Sequence, residues 1–322
     1  MNDAQRLARA ADAINALGFD PERSIDKVYN DLSSTDGGNY ATLLGTHIFK
    51  AELGLKRGAL NAVQYCAPHK DAKIKGYTGC PFATPGCIDT CIKTTGHSVT
   101  AGADRARLKR TLRWYLDVVR TLRDLDREID ALERRAAKKE LVPTVRLAGT
   151  DDQRYYELVE GWEDRPTQFY DYTKEPVTPT RLAAIREGWH TTFSLSEDPK
   201  SMRRSLRWAD HGANTAIVVG GPVGSTQGVA KKVAAELVRR GEFAGRPTIN
   251  GDQDDLRWMD PAVGGWVVLS AKGGKAKFEE HGFVVRFDPA VLLGTDWSPE
   301  TALLSEFDRQ RFTPNAAAAA TK

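Results

Sequence analysis

Between residues 101 and 139 apolar side chains return every three or four positions: Leu108, Leu112, Leu116, Val119, Leu122, Leu125, Ile129 and Leu132. That period predicts one long amphipathic helix. Before it, residues 1–36 read as helical or irregular elaboration ending in the turn-rich SSTDGGN, followed by possible strands at 40–44 and 60–66. After it, short apolar runs rich in β-branched and aromatic residues fall at 144–147, 168–172, 191–195, 215–219, 247–249, 266–269 and 283–287. Helical patterns at 153–159, 179–187, 201–210 and 228–240 separate the earlier ones. Strands alternating with helices at this interval predict an α/β fold with parallel strands, an open or partial (β/α) barrel. The expected organisation is a helical N-terminal extension over 1–36, one barrel-like domain over 37–312, and a flexible tail over 313–322.

Composition changes this picture little. A chain of 322 residues, 41% hydrophobic, can bury a large core. The formal net charge of +3 is only weakly basic. No run approaches the roughly 18 apolar residues of a membrane span, so no membrane partner is expected. The opening MNDAQRLARAADAINALGF reads as an amphipathic helix and not as a signal peptide. Four cysteines without such a signal suggest a reducing, cytoplasmic setting and thiols in place of disulfides. The polar face of the 101–139 pattern is rich in arginine with acids interspersed, which reads first as a solvated, ion-paired face. Its acid-poor first third, Arg105 to Arg113, is the candidate for contact with nucleic acid.

The densest chemistry lies at Cys80, Cys87 and Cys91, three of the four cysteines within twelve residues, spaced C-x6-C-x3-C. Pro81, Pro85 and Gly86 bend the chain enough to gather sulfurs. Three thiolates leave a metal one ligand short, as in an open catalytic site or an iron–sulfur cluster. Cys66, His69 or His97 could instead close a structural zinc site. The expected strand ends are polar throughout, and in parallel α/β folds catalytic groups lie there. They carry Gly149, Thr150 and Asp151; Asp171 and Lys174; Ser194, Ser196 and Glu197; Asp252, Asp254, Asp255 and Arg257; and Lys272. No Gly-x-Ser-x-Gly elbow and no Gly-x-x-x-x-Gly-Lys-Ser/Thr loop is present, which argues against a serine hydrolase and a nucleotide hydrolase.

The segments CPFATPGCIDTCIKTTGHSV, ARLKRT, VRLAGTDD, FYDYTK, FSLSE, NGDQDDLRWMDP and VVLSAKGGKAK resemble the phage gene product 88 family over roughly residues 40–288. That resemblance implies a bacteriophage or prophage protein working in a host cytoplasm, and carries no settled activity. The chain departs from the family pattern at Ala148, where Asn is usual, and at Asn250, where Asp is usual. Both departures argue against direct ligand roles there.

A cysteine loop after the first barrel strand, followed by a long helix, is also similar to the radical S-adenosylmethionine enzymes, whose usual spacing is C-x3-C-x2-C. This similarity implies a [4Fe–4S] cluster on Cys80, Cys87 and Cys91. It implies S-adenosylmethionine contacts at Gly149, Thr150 and Asp151 and at Ser194, Ser196 and Glu197. The expected function is modification of a nucleotide, nucleic acid or peptide, with Asp171, Lys174, Asp252, Asp255, Arg257 and Lys272 facing the substrate. The alternatives are a zinc-stabilised nucleic-acid-binding protein without catalysis, and a barrel enzyme of nucleobase transfer using Asp151, Asp171 or Asp252 as nucleophile.

Overall fold

The computed structural model describes residues 1–34, 42–46 and 53–312. Among the described residues, nine strands, mostly parallel, and intervening helices make a mixed α/β protein. The chain divides into two units. The first comprises Met1–Pro81, His97–Asp171 and Arg186–His190, and the second Phe82–Gly96, Tyr172–Ile185 and Thr191–Lys322.

In the first unit, helices Asp3–Ala16 and Ile25–Ser33 precede β1 (Ala59–Val63), whose five residues are all buried. Asn2 and Gln5 start the first helix with a reciprocal capping box. Its apolar face, with Ala10, Ala13 and Ile14, joins Val28, Leu32, Leu112 and Leu116 in one core cluster. The N-terminal helices are thus packed on helix Ala101–Leu116. β1 runs parallel to β2 (Val142–Arg146), with Asn61 opposite Thr144, and β2 parallel to β3 (Gln168–Thr173). An aromatic group of Trp162, Phe169 and Trp189 packs beside β3, with the Phe169 and Trp189 rings stacked at 5.0 Å.

The expected single helix over 101–139 is two, Ala101–Leu116 and Val118–Ala137. Asp117 adopts extended backbone (φ −146°, ψ 90°), and its carboxylate accepts the Arg120 amide at 3.0 Å. The apolar period runs on through this break, but an aspartate that caps a new helix end outweighs it. The expected helix over 153–159 is only a 3₁₀ turn, Tyr155–Glu157. Of the expected strand over 40–44, residues 40–41 lie outside the described residues and 42–44 are not extended into a ladder; Gly45 makes a single antiparallel bridge to Val63. The tail over 313–322 lies outside the described residues.

In the second unit β5 (Thr215–Gly220) is central. It pairs in parallel with β4 (His190–Ser194) along its first residues, with β9 (Val284–Arg286) along its last, and with β8 (Trp266–Ser270) throughout. β7 (Arg246–Asn250) pairs in parallel with β8, and β6 (Glu242–Phe243) closes an antiparallel hairpin on β7. The hairpin turn places Ala244 (φ +46°) and Gly245 (φ +73°) in left-handed backbone, as a two-residue turn matching strand twist requires.

Parallel pairing and strand–helix alternation agree with the expectation. The sequential strand order of a barrel does not appear: β8 lies between β5 and β7, and β6 ends the row. Helices Ser201–Ala209 and Gln227–Arg240 cover the sheet, burying Trp208, Val233 and Leu237 with Phe193, Ile217 and Val268. No helix of the described residues is long and apolar enough to cross a membrane.

Candidate functional site

The chemistry of the first unit gathers where β1 and β2 end. After β2 the chain turns back so tightly that the Gly149 amide donates to the Gln64 carbonyl at 2.9 Å, and a Cβ on Gly149 would lie 2.2 Å from that oxygen. Only glycine fits this turn. The Thr150 hydroxyl donates to the Cys66 carbonyl. The Cys80 thiol donates to the Thr150 carbonyl at 3.7 Å, and its sulfur accepts the His69 amide at 3.3 Å.

Asp151 is 6% exposed. Its Oδ2 accepts the Tyr155 hydroxyl at 2.7 Å, and its Oδ1 is buried without a hydrogen-bond partner among the described residues. Burial pushes its carboxyl up from 3.8 to about 7, against the Tyr155 bond. Tyr155 also reaches the Cys66 sulfur at 3.4 Å. Burial, seconded by Asp151, raises the Cys66 thiol far above its ordinary value. Buried and bonded to Tyr155, Cys66 sits in the core as a thiol. Asp171 is 1% exposed and accepts the indole N–H of Trp189 at 3.1 Å, so it anchors the aromatic group.

In the second unit the cysteine loop lies on the carboxyl end of β4. Helix Pro85–Asp89 carries Cys87, and Cys91 precedes the 3₁₀ turn Ile92–Thr94. Glu197, three residues beyond β4, accepts the Gly86 amide at 2.6 Å on one oxygen and the Thr84 hydroxyl at 2.8 Å on the other. A Cβ on Gly86 would lie 2.7 Å from both Glu279 Oε1 and Phe283 Cβ, so only glycine lets the loop seat this closely. Asp89 meets His281 at 3.2 Å. Glu197 is thus a clamp on the cysteine loop, a different task from the ribose contact expected of it. Ser196 is also committed, its amide to the Ser201 hydroxyl and its carbonyl to Arg311.

The other strand ends of this unit form two polar groups. Lys174 donates to the Ser194 hydroxyl at 2.8 Å and lies over the Phe283 ring. Lys272 pairs with Asp252 at 2.7 Å, and the second Asp252 oxygen accepts the Ser270 amide at 2.9 Å. Burial would raise the Asp252 carboxyl, but these bonds hold it below the usual range. Behind them Arg257, 4% exposed, bonds Asp254 and lies 2.9 Å from Asp260. Burial opposes its charge, yet Tyr172, Asp260, Asp255 and Asp254 raise it above the ordinary arginine value. Arg257 and Asp255 are buried scaffold beneath the strand ends, while Asp252 and Lys272 are half-exposed.

The basic stretch Arg105 to Arg113 is not a solvated face. Arg107, Lys109, Arg110 and Arg113 are buried. Arg107 bonds Asp104 and the Ser98 carbonyl, Arg110 the Thr42 and Tyr65 carbonyls, and Arg113 Asp124. Arg105 alone of these five is exposed, so phosphate contact from this stretch would rest on one side chain. Sequence reasoning missed Tyr155, Glu279 and Phe283, none of which stands in a recognisable motif.

None of the four cysteines is in a disulfide. Cys80 is a residue of the first unit, Cys87 and Cys91 of the second. Within neither unit do three described His, Cys, Asp or Glu side chains form a metal-holding group. No curated protein and no solved structure matches the chain. The model of the Gene product 88 family matches residues 40–286, which spans the cysteine loop, both polar strand-end groups and the Asp151 site. With most of its length covered, the chain belongs to the phage gene product 88 family.

Proposed function

We propose that this phage-family protein is an iron–sulfur enzyme of the radical S-adenosylmethionine type, with Cys80, Cys87 and Cys91 as cluster ligands. Its substrate would be a nucleotide, nucleic acid or peptide in the cytoplasm of an infected cell. The observation that carries this reading is the clamp of Glu197 on the loop of Cys87 and Cys91, which seats that loop at the carboxyl end of parallel strands. Active sites of parallel α/β folds sit at that end.

The donor set suits the group. Cys80, Cys87 and Cys91 offer three soft thiols, while Cys66 is buried and bonded to Tyr155. The His69 amide bonds the Cys80 sulfur, and such N–H donors support a ligating thiolate. A cluster of this kind would supply the electron that cleaves S-adenosylmethionine reductively. The chain's own residues bind and orient. The buried Oδ1 of Asp151, without a hydrogen-bond partner among the described residues, is suited to the ammonium group of that cofactor. Asp252, Lys272, Lys174 and Ser194 give the second unit's strand ends half-exposed polar groups for substrate.

The test is turnover of the cofactor. Anaerobically reconstituted protein, reduced with dithionite, should convert S-adenosylmethionine to methionine and 5′-deoxyadenosine, and a Cys87→Ala/Cys91→Ala variant should not. Reconstituted protein that binds iron yet forms no 5′-deoxyadenosine would refute the enzyme reading.

One observation favours a second reading, a structural zinc site on the same three cysteines and His69. The buried Nδ1 of His69 has no hydrogen-bond partner among the described residues, although the His69 amide already touches Cys80. One zinc per chain, lost in His69→Ala, would favour it.

A further inference from the structure

Helix Val118–Ala137 carries five acids, and every one is engaged inside the first unit. Asp124 meets Arg113 at 2.7 Å and the Tyr29 hydroxyl at 3.0 Å. Glu128 accepts the Leu43 and Leu44 amides at 2.9 and 2.8 Å. Asp126, Asp130 and Glu133 all turn to one cation, Arg165. Of the basic side chains on and just beyond this helix, Arg120 meets Asp26 at 3.5 Å and bonds Asn30, but most of the others are not matched in return. Arg123, Arg127, Arg134, Arg135, Lys138 and Lys139 are exposed, and of these only Arg127 has an ion pair, at 3.3 Å with Asp124, among the described residues.

Arg120, Arg123, Arg127, Arg134 and Lys138 follow one another at intervals of three, four, seven and four residues, so they share one helix face. Over 18 residues at 1.5 Å each the stripe is about 27 Å long. A groove of about 570 Å³ runs beside its first half, lined by Tyr29, Arg120, Arg123 and Arg127 and by two acids, Asp124 and Glu128, both already engaged as described above. An adjoining one of about 510 Å³ shares Arg120 and Arg123 and is also lined by Asp26 and Asp117.

We propose that this stripe and groove bind the phosphate backbone of a nucleic acid. With the acids of the helix engaged from within, Arg123, Arg134 and Lys138 have no ion pair among the described residues, and a linear polyanion matches a row of such cations. A membrane surface fits less well, because the apolar face of the helix, Leu125, Ile129, Leu132 and Ala136, is buried and has nothing to insert. The inference does not rest on the cysteines or on any metal.

The test is anisotropy of fluorescein-labelled single-stranded DNA, duplex DNA and RNA of about 20 nucleotides, titrated with the full chain at roughly 50 and 200 mM salt. The wild type should bind at least one of them, with affinity falling steeply as salt rises. Arg123→Gln/Arg127→Gln/Arg134→Gln should bind about tenfold or more weakly at the lower salt and reduce the log–log salt slope by roughly two to three. Lys231→Gln/Lys232→Gln, on an exposed face of the second unit, should bind like wild type. Thermal melts confirm that both variants fold. No binding of any oligonucleotide at the lower salt, undiminished binding by the triple variant, or binding only to vesicles of phosphatidylserine and phosphatidylcholine would each overturn the proposal.

Discussion

Glu197 and Gly86, 111 residues apart in the chain, are joined by a 2.6 Å hydrogen bond from the Gly86 amide to the Glu197 carboxylate. The other carboxylate oxygen takes the Thr84 hydroxyl. Two bonds to one charged group fix the turn that presents Cys87, and charge-assisted bonds are the strong ones. Glu197→Ala should therefore loosen the loop, lower stability by about 1–3 kcal/mol, and raise the alkylation rate of Cys87 and Cys91 in the folded protein. Glu197→Gln should keep part of the effect, since its carbonyl can still accept the amide. Alkylation at wild-type rates in Glu197→Ala would show that the clamp does not control the loop.

Asp151 makes stability depend on pH. Its carboxyl is raised from 3.8 to about 7, so between those values the folded chain holds a proton that the unfolded chain has released. Stability from this group is therefore highest at low pH and falls as pH rises towards 7. Asp151→Asn keeps an oxygen for Tyr155 and has no charge to bury. It should be more stable than wild type at pH 8, by on the order of a few kcal/mol, and show a flatter stability profile between pH 4 and 7. Parallel profiles for the two proteins would place the titration elsewhere.

Cys66 should behave as a core residue. Held as a thiol by burial and bonded to Tyr155, it should react with iodoacetamide only on unfolding. Cys66→Ala should cost about 1–2 kcal/mol and leave metal content unchanged. Loss of metal in that variant would make Cys66 a ligand after all.

Arg165 holds three carboxylates one and two turns apart. Arg165→Met keeps the stem and removes the charge, leaving Asp126, Asp130 and Glu133 to repel one another. Denaturant melts should show a loss of about 1–2 kcal/mol, partly recovered at high salt. An unchanged midpoint would mean that solvent already screens the three acids.

Much of this was legible in the sequence. β1 to β5 and β7 to β9 coincide within a few residues with the expected runs, because buried parallel strands need continuous β-branched and aromatic side chains, whereas the two-residue β6 matches none of them. The family match rests on the motifs that carry the strand ends. Other features depend on partners far along the chain. Arg110 is buried because the carbonyls of Thr42 and Tyr65 receive it, and nothing local announces that. The break at Asp117 is hidden by an apolar period that continues across it. The position of β8 between β5 and β7 is set by how crossovers pack, which periodicity does not encode. Glu197 was legible as a strand-end acid, but its bond to Gly86 was not.

The measurement closest to the proposed chemistry is iron and acid-labile sulfide per chain, with an absorption spectrum, on protein purified without oxygen. A Cys80→Ala/Cys87→Ala/Cys91→Ala variant is prepared beside it. A three-cysteine cluster predicts about four irons, a broad band near about 400 nm, and loss of both in the variant. Colourless protein with one zinc, or iron retained without the three cysteines, would contradict it.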